Sequence, residues 1–391
     1  MEKISLERAI QIALGCYQSK YYKQTTKILQ RLVKRGVQDD SIYFLMGNAY
    51  YCLGQYQQAT QAYLNGININ TNSANLYANL GNAYVQRGLC ESAIDSYSRA
   101  IAINPDFSEV YINLIYAYSD AQQTENAIKM CGQVLDNKCD SDSLEAALES
   151  EYTRHNPSSI YLSLIGMYNE LHTNGDLNSE KDSREVYPGK SIVPWISTIK
   201  ELITSTDSQN LLDYGCGKGL QYQNLLLEDK KQLRYRNLQD YWGVDEVYCY
   251  DPAYPPYQRL PQKQYDFVIS IDVLEHCYQE DVKWIIEEIF SLAREFVFIN
   301  VACFPAERSL SDGENAHCTI RPGVWWEKML QPVMLNYSDV KYCFLVEYFY
   351  IDVVGKKRIF QVLSNFEDVS DSIQLDPPAK SILEKKWLQV N

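Results

Sequence analysis

Shifting the 391-residue chain against itself by 34 residues brings Gly47, Tyr50, Ala59 and Tyr63 onto Gly81, Tyr84, Ala93 and Tyr97. A third copy carries Ile115, Tyr118, Ala127 and Cys131, and a degenerate earlier one carries Ala13, Cys16, Thr25 and Leu29. A fixed period of this length constrains the fold more than any other feature. Each copy is one supersecondary unit that buries its apolar face only against its neighbours. Within a copy, two patterns of helical apolar spacing flank a short turn such as Leu53-Gly54-Gln55 or Arg87-Gly88-Leu89. Pro105 falls just past the second helix of its copy, where proline ends a helix.

The order within a copy is a small residue, an aromatic three later, alanine nine after that and an aromatic four later. It resembles the tetratricopeptide repeat, most closely in NLYANLGNAYVQRGLCESAIDSYSRAIAINP. The resemblance implies an alpha-solenoid over residues 1–142 whose groove holds a protein or peptide partner. A spacer or dimerisation module is the alternative use. Apolar helical spacing continues through Leu144, Leu148, Tyr161, Leu164, Ile165 and Tyr168, so residues 143–180 are expected to be a helical connector.

From residue 181 the pattern changes to strands alternating with helices, the pattern of a doubly wound parallel sheet. Leu211-Leu212-Asp213-Tyr214-Gly215-Cys216-Gly217-Lys218-Gly219 reads as a buried strand running into a tight turn where side chains give way to backbone. Its spacing is neither Gly-x-Gly-x-x-Gly nor the phosphate loop, since Gly219 follows Lys218 where a hydroxyl residue would stand. Further strands end at Asp251 and near Asp272, and ligands of such sheets bind beyond the carboxyl ends of strands.

The glycine run, with Asp266-Phe-Val-Ile-Ser-Ile-Asp-Val-Leu-Glu-His-Cys277 farther on, resembles the class I S-adenosylmethionine-dependent methyltransferases over residues 185–330. The resemblance implies an α + α/β chain, a repeat solenoid followed by a Rossmann-like methyltransferase domain over residues 181–391. It also implies S-adenosyl-L-methionine as cofactor, held by Asp213, Tyr214, Gly215, Cys216, Gly217, Asp251, Ile271 and Asp272. The stretch from Gly219 to Asp251 is long, and the one from Asp251 to Tyr265 is short and proline-rich, which leaves Asp245 as a competing ribose ligand. Adenine is expected against the proline–tyrosine segment. His317, in Gly-Glu-Asn-Ala-His, matches the place of a substrate-side histidine and is the candidate general base. His276 is read as fixing local structure. Trp325 and Trp326 either line an acceptor pocket or anchor a helix.

Composition excludes several classes. Eleven cysteines are scattered without a Cys-x-x-Cys pair, which points to reduced thiols and to neither disulfides nor a metal. No apolar run is long enough to span a membrane, and the amino terminus does not read as a secretion signal, so a cytoplasmic location is expected. The net charge of −14 lies almost wholly after residue 142, and a field of that sign disfavours nucleic acid. The expected acceptor is a small molecule or glycan. A catalytically inactive adaptor that works through its repeats is the runner-up, and a nicotinamide oxidoreductase lacks its glycine spacing.

Overall fold

The computed structural model describes residues 6–134, 142–175, 186, 189–224, 226–229, 231–306, 308–366 and 388–389. The expected boundary at 180/181 lies outside the described residues. The chain forms two compact units. The first is 1–141 with 348–359, and the second is 142–347 with 360–391.

In the first unit, eight helices follow the 34-residue register: α1 (Leu6–Gln18), α2 (Tyr22–Lys34), α3 (Asp40–Cys52), α4 (Tyr56–Ile69), α5 (Ala74–Val85), α6 (Cys90–Ile103), α7 (Ser108–Asp120) and α8 (Thr124–Val134). Each packs on its sequence neighbours, and α1, α3, α5 and α7 also touch in series. The repeat's small-then-aromatic pattern has a direct steric cause. A Cβ on Gly47 would lie 2.8 Å from Tyr63 Cζ, and one on Gly81 would lie 2.9 Å from Tyr97 Cζ. Each glycine thus lets a fully buried ring lie against the backbone of the paired helix. Gly81→Ala is expected to destabilise the array by about 1–3 kcal/mol through overpacking. A thermal melt followed by circular dichroism measures it, and an unchanged transition would show that the ring finds room elsewhere.

The second unit is built on a sheet of order β4-β1-β5-β6-β7-β8. Its strands are β1 (Asn210–Tyr214), β4 (Glu246–Tyr250), β5 (Tyr265–Ile271), β6 (Ala293–Ala302), β7 (Lys341–Asp352) and β8 (Gly355–Ser364). The pairs from β4 to β7 are all parallel. β8 follows β7 after two residues, a connection short enough only for an antiparallel neighbour, so the sheet is mixed. A small second sheet joins β2 (Leu227–Glu228), β3 (Arg234–Tyr235) and β9 (Leu388–Gln389).

Helices α9 (Asp142–Leu148), α10 (Ser159–Asn174), α11 (Ile196–Ser205), α12 (Leu220–Asn224), α13 (Leu238–Trp242), α14 (Gln279–Ser291) and α15 (Gly323–Asn336) complete this unit. One core layer joins Trp195, Ile196, Ile199, Leu211, Phe267 and Phe298. Trp325 and Trp326 are sealed within α15, where the Trp326 indole N–H donates to the Arg321 carbonyl at 3.0 Å, so both anchor the helix.

Residues 143–175, expected as a connector, are built into the second unit. Arg154 forms an ion pair with Glu288, Ser158 donates to Asp281, and the Asn169 side chain donates to the Ala253 carbonyl at 3.1 Å. Residues 348–359, expected within the later domain, pack instead with the repeats. Among the described residues no helix is long and apolar enough to cross a membrane.

Candidate functional site

Because β1 has β4 on one side and β5 on the other, all running parallel, the carboxyl ends of three neighbouring strands converge. The β1 end is the glycine turn. Gly215, Gly217 and Gly219 have φ of 87°, 58° and 61°, the left-handed region that glycine enters without penalty. The Gly215 and Cys216 amides both donate to the Tyr250 carbonyl, at 2.7 and 3.1 Å, which ties the turn to the end of β4. The Gly217 amide donates to Asp251 Oδ2 at 2.9 Å, while Asp251 Oδ1 accepts from the Ala253 amide at 2.8 Å. Burial raises the Asp251 pKa against the opposing effect of these amides. Each carboxylate oxygen keeps a further lone pair for a ligand hydroxyl.

Asp213 is engaged by its own chain. Its Oδ2 accepts from the Tyr222 hydroxyl at 2.8 Å and the Gln221 side chain at 3.0 Å, so it anchors α12 behind the glycines, and burial lifts its pKa to about 6. The Tyr214 hydroxyl donates to Glu288 Oε1 at 2.6 Å, which leaves only its backbone for a ligand at the turn. Cys216 is buried, and burial pushes its thiol pKa up. Asp245 precedes β4, at the amino end of the strand away from the turn, whereas Asp251 follows the strand. A pocket of about 400 Å³ opens beside Gly219, lined by Tyr222, Tyr248, Cys249, Pro256 and Tyr257 among others. Its size suits a small ligand, and its aromatic walls suit a flat ring.

Beyond β5, Ile271 is the last strand residue and Asp272 takes a φ of 61°, an uncommon conformation for a residue with a side chain. Here the fold brings His317 from a distant loop beside Asp272 and His276, which stand four residues apart. His276 Nε2 lies 3.6 Å from Asp272 Oδ1, and His317 Nε2 lies 3.9 Å from the same oxygen. The two imidazole rings are 4.8 Å apart and nearly perpendicular. Burial pulls the His317 pKa down to about 4, with His276 adding to the effect. Burial also acts to lower that of His276, but Asp272 outweighs it and the net shift is upward. Asp272 is held below the usual carboxylate range by His276, Ser191 and His317 against the effect of burial. In sequence the three residues carry separate expectations, Asp272 toward the cofactor, His317 toward catalysis and His276 toward local structure.

The first unit presents a second site, on the row formed by α3, α5 and α7. Asn48 and Asn82 stand one period apart, as do Asn79 and Asn113, and their side chains join across repeats. Asn79 donates to Asn48 at 3.1 Å, and Asn113 donates to Asn82 at 2.9 Å. Segment 348–354 lies on this row. The Asn113 side chain donates to the Ile351 carbonyl at 2.8 Å and accepts from the Ile351 amide at 3.1 Å. Tyr51 donates to Asp352 at 3.1 Å, Tyr348 donates to Ser119 at 2.9 Å, and Val353 packs with the cluster around Tyr63 and Leu80. This asparagine periodicity was present in the sequence but does not belong to the apolar pattern that marks the repeat.

The amino-terminal region carries tetratricopeptide repeats. A family model described as TPR repeat matches residues 47–88 and 81–122. Solved structures are similar over about a third of the chain. One titled a crystal structure of MamA is 24% identical, with 33% of this chain and 76% of that one covered at a TM-score of 0.33. YrrB, titled a TPR protein with an unusual peptide-binding site, is 15% identical, with 34% and 70% covered and a TM-score of 0.32. PcrH, titled as in complex with the chaperone binding region of PopD, is 21% identical, with 32% and 95% covered and a TM-score of 0.27. No curated protein matches the chain.

Proposed function

We propose that the second unit binds S-adenosylmethionine and transfers its methyl group to a small-molecule or glycan acceptor, while the repeats engage a protein or peptide. The observation that carries the reading is the hydrogen bond from the Gly217 amide to Asp251, which puts a side-chain-free turn and an acid from the next strand within one contact. The residues present fit the cofactor. The turn exposes backbone, Asp251 has lone pairs for a ribose diol, and the aromatic pocket beside Gly219 suits adenine. The cofactor supplies a methyl already activated as a sulfonium, so the chain's part is to hold and orient both reactants in a dry site. A pKa of about 4 makes His317 a weak proton acceptor, since a base works best with a pKa near the working pH. Positioning therefore accounts for the proposed rate better than proton removal by His317.

Titration calorimetry with S-adenosylmethionine and S-adenosylhomocysteine tests the reading. One molecule of either should bind each chain, and Asp251→Ala should weaken binding roughly tenfold or more, the loss of about 1.5–3 kcal/mol for a charge-assisted contact. Asp245→Ala should leave it unchanged. Absence of binding to the folded wild-type chain would leave the repeat array as the working part, the adaptor reading.

A further inference from the structure

We propose that Asp272, His276 and His317 form a binding site for a divalent transition-metal ion of the zinc class, with open coordination positions for an oxygen ligand. The argument begins with the outer ring nitrogens. His317 Nδ1 lies 2.6 Å from the Phe304 carbonyl oxygen, and His276 Nδ1 lies 2.8 Å from the Ala316 carbonyl oxygen and 2.7 Å from the Tyr168 hydroxyl. A carbonyl only accepts, so each Nδ1 carries the hydrogen, and in its neutral form each ring turns its Nε2 lone pair the other way. Both lone pairs are directed to one oxygen of Asp272, itself an acceptor. Separations of 3.6 and 3.9 Å are too long for hydrogen bonds.

Three electron-pair donors facing a common gap make a place for a cation. The candidate donor atoms of the three residues all lie within 4.8 Å of one another. Two ligands of a tetrahedral zinc ion, at about 2.0–2.2 Å from the metal, stand roughly 3.4 Å apart, so the two separations from Asp272 close with shifts of a few tenths of an ångström and the two imidazole nitrogens draw together by up to about 1.4 Å.

The surroundings give independent support. Metal-bound histidines almost always donate their other N–H to a carbonyl or carboxylate, and ligating carboxylates are hydrogen-bonded in turn. All three residues have such a partner, the third being the Ser191 hydroxyl, which donates to Asp272 Oδ2 at 2.7 Å and leaves Oδ1 toward the histidines. Asp272 also adopts its left-handed backbone here, a strain of the kind that collects at functional sites. Two imidazoles and one carboxylate favour a transition metal over magnesium or calcium, and three protein ligands leave a position open. The Asp272 side chain is 35% exposed while those of the histidines are 13% and 7% exposed, so the open side is at the acid. An acceptor offering a hydroxyl or carboxylate oxygen fits that position. The binding claim itself stands apart from methyl transfer.

The test uses the full chain, stripped with chelator and titrated with ZnCl₂ by calorimetry, with thermal melting alongside. One zinc per chain is expected, with a gain in melting temperature. His276→Ala, His317→Ala and Asp272→Asn should each weaken binding by at least about 100-fold, and His155→Ala should not. Cobalt(II) as a probe reports the donors: visible bands without thiolate charge transfer are expected. Strong thiolate bands, or affinity unchanged in folded Asp272→Asn, would put the metal on cysteines and overturn the proposal. Absence of stoichiometric binding to the wild-type chain would overturn it as well. If a histidine variant does not fold, Asp272→Asn, which changes one atom, still gives the answer.

Discussion

Gly217→Val is expected to reduce S-adenosylmethionine affinity by at least about 100-fold while leaving the repeat helices folded. Gly217 sits at φ 58°, where a β-branched residue is a genuine outlier, so valine forces the turn out of its present path. The movement breaks the amide bond to Asp251, which the proposed site uses to set the acid against the turn. Gly215 answers a different need. A Cβ there would lie 2.9 Å from Val273 Cγ1, so its substitution strains packing whether or not a ligand binds. Gly217 is thus the more informative position. Calorimetry on Gly217→Val, with circular dichroism to confirm folded helices, measures the effect. Unchanged affinity would sink the methyltransferase reading.

The two halves were legible to different degrees, for physical reasons. A repeat writes its contacts at a constant separation, so Gly47, Tyr63, Gly81 and Tyr97 announced their packing through sequence alone. Strands that end in acids were visible in the same way, and β1, β4 and β5 fall where their apolar runs suggested. What escaped was contact between distant segments. Arg154 with Glu288, and Tyr168 with His276, arise only once the sheet is assembled, so α9 and α10 read as a connector. His276 and His317 are 41 positions apart, and only the convergence of the loops after β5 and β6 places both beside Asp272. Segment 348–359 was expected within the later domain because nothing in its own residues says which unit receives it.

Asn113→Ala is expected to loosen that segment from the repeats, with a loss of about 1–3 kcal/mol of local stability. Asn113 is 2% exposed and meets both backbone groups of Ile351, as a neighbouring strand would. Alanine leaves an amide and a carbonyl without these partners, and a half-buried polar group stripped of its bond costs about this much. It also removes the link to Asn82, although Asn82 still reaches the Ile351 carbonyl at 3.3 Å. Asn113→Asp should be worse than alanine. It keeps the acceptor for the Ile351 amide but turns a carboxylate oxygen toward the Ile351 carbonyl and the Asn82 oxygen, with little water to screen it. The readout is hydrogen exchange at the Ile351 amide together with proteolysis within 348–359. The order should be wild type, then alanine, then aspartate, in rising exchange and cleavage. The same result bears on partner binding, because a peptide that used the Asn82–Asn113 row would have to displace Ile351 first, and its affinity should rise in the alanine variant only if it binds elsewhere on the row. Equal protection of the Ile351 amide in all three proteins would show that Val353 and Tyr348 hold the segment by packing, with the asparagine clamp contributing nothing.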